Sequence, residues 1–125
     1  PVGSTFDVVV SIMSQAEMTQ FPEPFKNAKR VYAWVDDRPD EDSGLTTDRL
    51  RVIARDLIRL VKSKKQVYVH CMAGISRSPT VVVAALMLAK KWPAEKAWGY
   101  VSMRRRVIRP NVYFMELLKE LEQRS

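Results

Sequence analysis

Sulfur and imidazole are scarce in this sequence. Cys71 is the only cysteine and His70 the only histidine among 125 residues, so no disulfide forms within the chain. The start carries no secretory pattern, and a free thiol without one fits a reducing, cytoplasmic compartment. Long apolar runs are missing too. The longest, Val81 to Ala89, falls well short of the roughly 20 residues that a membrane-spanning helix needs. It reads as a helix buried in protein, and no membrane partner is expected. Repeats, linkers and low-complexity tracts are absent, which leaves one domain over residues 1–125.

What is present is ordinary for a globular chain: 46% hydrophobic and 28% charged residues supply both a core and a polar surface. The net charge of +7 favours acidic partners, and phosphorylated molecules are one such class. Nucleic acid is disfavoured. The basic residues run along amphipathic helices instead of alternating with aromatics, and no nucleic-acid-binding motif occurs.

The informative stretch is Val67-Tyr68-Val69-His70-Cys71-Met72-Ala73-Gly74-Ile75-Ser76-Arg77-Ser78-Pro79. An alternating apolar run delivers a cysteine, an arginine follows six residues later, and an apolar helix then begins. A thiol of pKa about 8.5 is mostly protonated at neutral pH, so a nucleophilic cysteine needs surroundings that favour its anion. A loop that curls around the sulfur and enters a helix aims backbone N–H groups at one point, where the helix dipole also favours negative charge. A thiolate and a phosphate want the same surroundings. The N–H groups of Met72, Ala73, Gly74, Ile75, Ser76 and Arg77 form the expected cradle, with Gly74 permitting the tight turn. Arg77 adds a planar fork for two phosphate oxygens that lysine does not copy. Ser78 is placed to donate a hydrogen bond to the sulfur. His70 precedes the loop, so a supporting role, fixing the loop and tuning the thiolate, suits it better than that of general base.

His70-Cys71-x5-Arg77-Ser78 resembles the signature of the cysteine-dependent protein phosphatases, and Ala73-Gly74-Ile75-Ser76-Arg77-Ser78-Pro79-Thr80 is similar to the dual-specificity branch. The likeness runs from about Phe6 to the C-terminus and includes Arg109-Pro110-Asn111. It implies an α/β fold with a mainly parallel central sheet flanked by helices. It also implies hydrolysis of phosphotyrosine and phosphoserine or phosphothreonine in protein substrates through a phosphocysteine, with no cofactor and no metal, since loop and arginine neutralise the charge. Acidic flanks on the substrate would suit the basic chain. The family keeps a general acid about thirty residues before the nucleophile in the pattern Asp-x-Pro-x-x-Asp, which Asp37-Arg38-Pro39-Asp40-Glu41-Asp42 reproduces. Asp37 is the implied acid, with Asp36 and Asp40 as alternatives if the register slips. Compared with that family the chain looks N-terminally short by some two dozen residues, which would change the exposed flank of the sheet. Two other readings stand beside this one: a phosphate-reading module without turnover, and a phosphatase for phosphoinositides, glucans or RNA 5′-phosphates. Met72 and Ile75 are less basic than a highly anionic inositol head group would favour.

Around this motif the chain reads simply. Asp7 to Ile12 is a β-branched run expected as a buried parallel strand, and Arg30 to Val35 as a second. Residues 14 to 27, with Pro22 and Pro24, are expected to be mostly loop, with a turn of helix near Ala16-Glu17-Met18. Thr46 to Ser63 has the helical apolar period of Leu50, Ile53, Ala54, Leu57 and Val61, and a cap at Thr46 or Thr47. Gln66 to His70 is the strand that carries the nucleophile. Pro79 suits the first turn of the helix Thr80 to Lys91. Further helices are expected from Ala94 to about Arg105 and after Asn111, which is placed to cap the last. The cations Arg104, Arg105, Arg106 and Arg109 read as a helix C-terminus set against its dipole.

Overall fold

The computed structural model describes residues 6–20, 28–72, 76–104 and 108–124. Three strands, β1 (Val8–Met13), β2 (Lys29–Trp34) and β3 (Val67–His70), form a sheet of order β2-β1-β3, parallel throughout. Helices α1 (Gln15–Gln20), α2 (Thr47–Lys62), α3 (Arg77–Lys90), α4 (Ala94–Arg104) and α5 (Val112–Arg124) complete the α/β domain. Among the described residues no helix is long and apolar enough to cross a membrane.

Side chains alternate across a strand, and the sheet has two unlike faces. Val8, Val10 and Ile12 of β1, Val31 and Ala33 of β2, and Val67 and Val69 of β3 join the core beneath the helices. The other face carries Ser11, Tyr32, Trp34, Tyr68 and His70, where Tyr32 stacks on Trp34 at 4.9 Å and Phe6 on Tyr68 at 5.1 Å. Helix α3 lies at the centre of the helical layer. Its apolar residues point to several sides at once, with Val81, Val83, Ala84, Ala85 and Met87 buried, as expected of a helix enclosed by neighbours. Leu50, Phe114 and Leu121 from α2 and α5 are wholly buried against this layer, and truncating any of them to alanine costs about 2–5 kcal/mol.

Two segments differ from the sequence reading. The stretch after β1 holds a six-residue helix, α1, where only a turn was expected. Its start is a capping box: Glu17 N–H donates to Ser14 Oγ at 3.2 Å, and Ser14 N–H donates to Glu17 Oε1 at 2.8 Å, which satisfies two otherwise orphaned donors. Helix α3 begins at Arg77, three residues earlier than read, so Arg77 and Ser78 belong to its first turn.

The segment between β2 and α2 is polar but firmly pinned. Asp36 N–H donates to Ser43 C=O at 2.9 Å, and a 3-10 turn at Glu41–Ser43 is capped by the Asp40 side chain. Arg49 Nη1 donates at 2.7 Å to both Trp34 C=O and Gly44 C=O, tying the end of β2 to the end of the loop. Gly44 closes the turn at φ 81°, a left-handed conformation that glycine adopts without the Cβ penalty. Ser43 and Leu45 are buried beneath it.

Candidate active site

Strand β3 ends at His70 and α3 begins at Arg77, so the loop between them starts at Cys71 and is anchored at both ends. Cys71, Arg77 and Ser78 are all buried. Cys71 Sγ lies 3.3 Å from Ser78 Oγ, within reach of a hydroxyl-to-sulfur hydrogen bond. Ser76 is the N-cap residue of α3 but makes no capping bond with its side chain. Its side chain thus does not satisfy the first-turn N–H groups, which suit an anion. Met72 is partly exposed; Ala73, Gly74 and Ile75 lie outside the described residues.

Arg77 is held by a residue that the sequence reading treated only as part of a turn. Its Nη1 and Nη2 donate to Glu17 Oε1 and Oε2 at 2.5 and 2.9 Å, and Nη1 also donates to Val35 C=O at 3.0 Å. Those bonds occupy three of the five N–H donors of a guanidinium. Among the described residues nothing engages the Nε–H and the second Nη2–H, and that edge of the group is suited to forking two phosphate oxygens. Burial works against the Arg77 charge, but Glu17, with Cys71 and Asp37, outweighs it and raises the pKa above its ordinary value. Glu17 responds in the opposite sense: the hydrogen bonds from Arg77 hold its pKa at about 2. The pair is ionised across the whole physiological range. A Ser-x-x-Glu box was visible in the sequence, yet nothing local showed that its carboxylate would reach across 60 residues.

His70 is half-buried on the sheet face away from the helices, stacked on Tyr68 at 5.5 Å. Its Nε2 meets Ser11 Oγ at 2.7 Å, and the same oxygen receives Arg30 Nη2 at 2.7 Å. The Ser11 hydroxyl thus bridges the Arg30 guanidinium and the His70 ring. Burial pushes the His70 pKa down, a hydrogen bond to the Cys71 main chain opposes this in part, and the Arg30 charge adds to it. The imidazole is neutral at pH 7 and braces the Cys71 backbone from behind.

The acidic loop brings one of its three candidate carboxylates to this point. Asp37 Oδ1 accepts from Ser76 Oγ at 2.9 Å and from Asn111 Nδ2 at 2.8 Å. Asp36 turns to its own neighbourhood, accepting from Asp37 N–H, and Asp40 is occupied in capping the 3-10 turn. Both donors on Asp37 converge on Oδ1. Asn111 does more than the expected capping. Its Oδ1 accepts from Phe114 N–H at 2.9 Å, its Nδ2 also donates to Arg38 C=O at 3.1 Å, and its own N–H donates to Ser76 Oγ at 3.2 Å. Cys71, Ser78, Arg77 and Asp37 thus gather around the N-terminus of α3, with Glu17 and Asn111 as unforeseen supports. No group of His, Cys, Asp and Glu side chains among the described residues is arranged to hold a metal ion.

A family model described as dual specificity phosphatase, catalytic domain, matches residues 3–124. Among curated proteins, tyrosine phosphatase 123R of Invertebrate iridescent virus 6 is 33% identical over 93 residues, covering 74% of this chain and 63% of the viral protein. Human dual specificity protein phosphatase 5 is 36% identical over 92 residues, covering 73% of this chain and 23% of its own length. The chain therefore spans less than two thirds of both relatives. A crystal structure of Tk-PTP in the active form superposes with a TM-score of 0.83 at 29% identity, covering 99% of this chain and 83% of that one.

Proposed function

The chain belongs to the dual specificity phosphatase catalytic-domain family, and from that premise we propose that it hydrolyses phosphate monoesters of phosphotyrosine, phosphoserine and phosphothreonine in proteins through a phosphocysteine. The observation that carries this reading is the meeting of Cys71, Ser78 and Arg77 with the Asp37 loop at the uncapped start of α3.

In the first step the Cys71 thiolate attacks phosphorus in line, an S–P bond forms and the P–O bond to the leaving group breaks. The Nε–Nη2 edge of Arg77 and the N–H groups at the start of α3 stabilise charge on the equatorial oxygens. Asp37 gives its proton to the departing oxygen. In the second step water attacks phosphorus, Asp37 takes the water proton, and the sulfur leaves as thiolate, eased by the Ser78 hydroxyl 3.3 Å away. His70, neutral and engaged with Ser11, is a positioning residue and takes no proton from substrate. The +7 charge draws phosphorylated, acid-flanked segments toward the site.

Turnover of para-nitrophenyl phosphate tests this directly. The wild-type chain is expected to turn over, and Cys71→Ser to lose at least four orders of magnitude while still binding inorganic phosphate. Activity that survives in Cys71→Ser removes the phosphocysteine route. A wild-type chain that binds phosphate without turnover makes the fold a phosphate-reading module instead.

A further inference from the structure

The helical layer holds a cationic groove at the end remote from Cys71. Helices α2, α3 and α5, with the turn that leads into α4, wall a space of about 580 Å³. Arg51 and Arg55 line it from α2, Lys91 from the end of α3 and Arg124 from α5. The 14 residues of α3, at a rise of 1.5 Å each, set the groove roughly 20 Å from the start of that helix. It shares no residue with the site at Cys71.

Three of these cations are unmatched among the described residues. Arg124 pairs with Asp48 and Glu120, but no described acid meets Arg51, Arg55 or Lys91. The acid in the lining, Glu122, is engaged by Ala94 N–H at 2.6 Å. Two features also run against stability. Arg51 and Arg55 stand four residues apart on one helix, where like charges repel. Lys91 closes α3 at φ 56°, a left-handed position that suits glycine and strains a residue with a Cβ. Met87, Leu88 and Trp92 give the groove a recessed apolar lining, the first buried and the other two half-buried.

We infer that this groove binds an acidic segment of a partner protein, its carboxylates on Arg51, Arg55 and Lys91 and an apolar side chain against Met87, Leu88 and Trp92. The recessed lining sets this occupant apart from others. A bilayer takes up apolar groups that protrude. Single-stranded nucleic acid stacks on open aromatic faces, whereas Lys96 sits 4.7 Å over the Trp92 ring and Tyr100 tilts against it at 5.5 Å. A second copy carries the same +7 charge and is repelled. Binding here stands whether or not the chemistry proposed at Cys71 holds.

The probe is a fluorescein-labelled peptide, Asp-Glu-Asp-Leu-Glu-Asp-Leu-Asp-Glu, titrated into the full chain at low salt and followed by anisotropy, with the Trp92 indole N–H read by NMR. Saturable binding that shifts the Trp92 signal is expected. Arg51→Glu combined with Arg55→Glu should weaken it roughly tenfold or more. Lys62→Glu combined with Lys65→Glu, the same change of charge outside the groove, should leave it within about twofold. Lys91→Gly removes a cation without threatening the fold, because glycine suits φ 56°. It should unfold at no lower temperature than wild type and bind roughly threefold more weakly. Serine in place of both peptide leucines should cost roughly fivefold. No saturation up to roughly 1 mM peptide overturns the inference. So does equal weakening by the two charge-reversed pairs, which would make the attraction a matter of net charge alone, or binding indifferent to Lys91→Gly or to the leucines. A polyuridylate strand or phosphatidylserine vesicle held through Arg51 and Arg55 more tightly than the peptide would overturn it as well. Self-association of the chain that Arg51→Glu with Arg55→Glu abolishes would do the same, by making a second copy the occupant.

Discussion

Two carboxylates meet neighbouring residues at the start of α3, and they are held in opposite ways. Glu17 grips Arg77 through both oxygens, is only 24% exposed and has its pKa drawn down to about 2. Asp37 is exposed, is bound among the described residues through one oxygen, and its hydrogen-bond partners Ser76 and Asn111 are uncharged. A carboxylate locked against a buried cation cannot exchange protons near neutrality, but it can hold that cation in one orientation. A carboxylate held by uncharged donors and open to solvent can give and take a proton with little rearrangement. Position in the fold, more than residue type, separates the roles.

The sharpest way to break this comparison is to remove each acid in turn. Asp37→Asn is expected to lower the rate on aryl phosphates with poor leaving groups by about a hundredfold to ten-thousandfold, the range for a positioned general acid, and to spare good leaving groups. Stability should hardly move. If Asp36→Asn gives that leaving-group signature and Asp37→Asn does not, the acid has been misassigned by one residue.

Glu17→Gln should show the reverse pattern. Rates should fall roughly ten- to a hundredfold for good and poor leaving groups alike, since a loosened Arg77 misplaces the phosphate itself. Stability should fall by about 3 kcal/mol, the low end for breaking a buried ion pair, because Glu17 keeps some contact with water. The pH dependence follows in sign. A carboxylate whose folded pKa is depressed contributes stability above its ordinary value of 4.5 that is lost as pH falls toward about 2. Wild type should therefore lose on the order of 3 kcal/mol across that window, measured by urea unfolding, and Glu17→Gln should lack that loss. Equal acid sensitivity in the two proteins would mean that Glu17 is no anchor.

Local patterns made one of these carboxylates legible and hid the other. Asp37 was implied by the resemblance to the family's Asp-x-Pro-x-x-Asp pattern, with Asp36 and Asp40 as alternatives, and the spacing of Cys71, Arg77 and Ser78 marked Cys71 as the proposed nucleophile, so these residues stood out before any coordinates. The parallel strands and the buried α3 followed from β-branched runs and a helix apolar on several sides. Glu17 left only the trace of a helix start at Ser14. Its bond to Arg77 depends on how β1 and α3 are set against each other, which periodicity along the chain does not encode. Ser11 was likewise lost inside an apolar run, although it is the residue through which Arg30 reaches His70. Long-range polar pairs are fixed by tertiary geometry, and a one-dimensional reading finds them only when both partners carry a local signal.

Asn111 allows a finer cut, because its two amide atoms do different work. Oδ1 caps α5 through Phe114 N–H, and Nδ2 donates to Asp37. Asn111→Ala removes both and should cost about 1 kcal/mol, as loss of a helix cap does, along with some activity. Asn111→Asp keeps an acceptor for the cap and sets a second carboxylate against Asp37 in place of a donor. Stability near that of wild type is expected, with a roughly tenfold lower rate on poor leaving groups. The high-pH decline of the rate should move upward, since a neighbouring negative charge favours the protonated acid. Should Asn111→Asp and Asn111→Ala lose equal stability while the pH profile stays in place, Asn111 is a cap and nothing more. The orientation of Asp37 would then rest on Ser76 and the pinned loop alone.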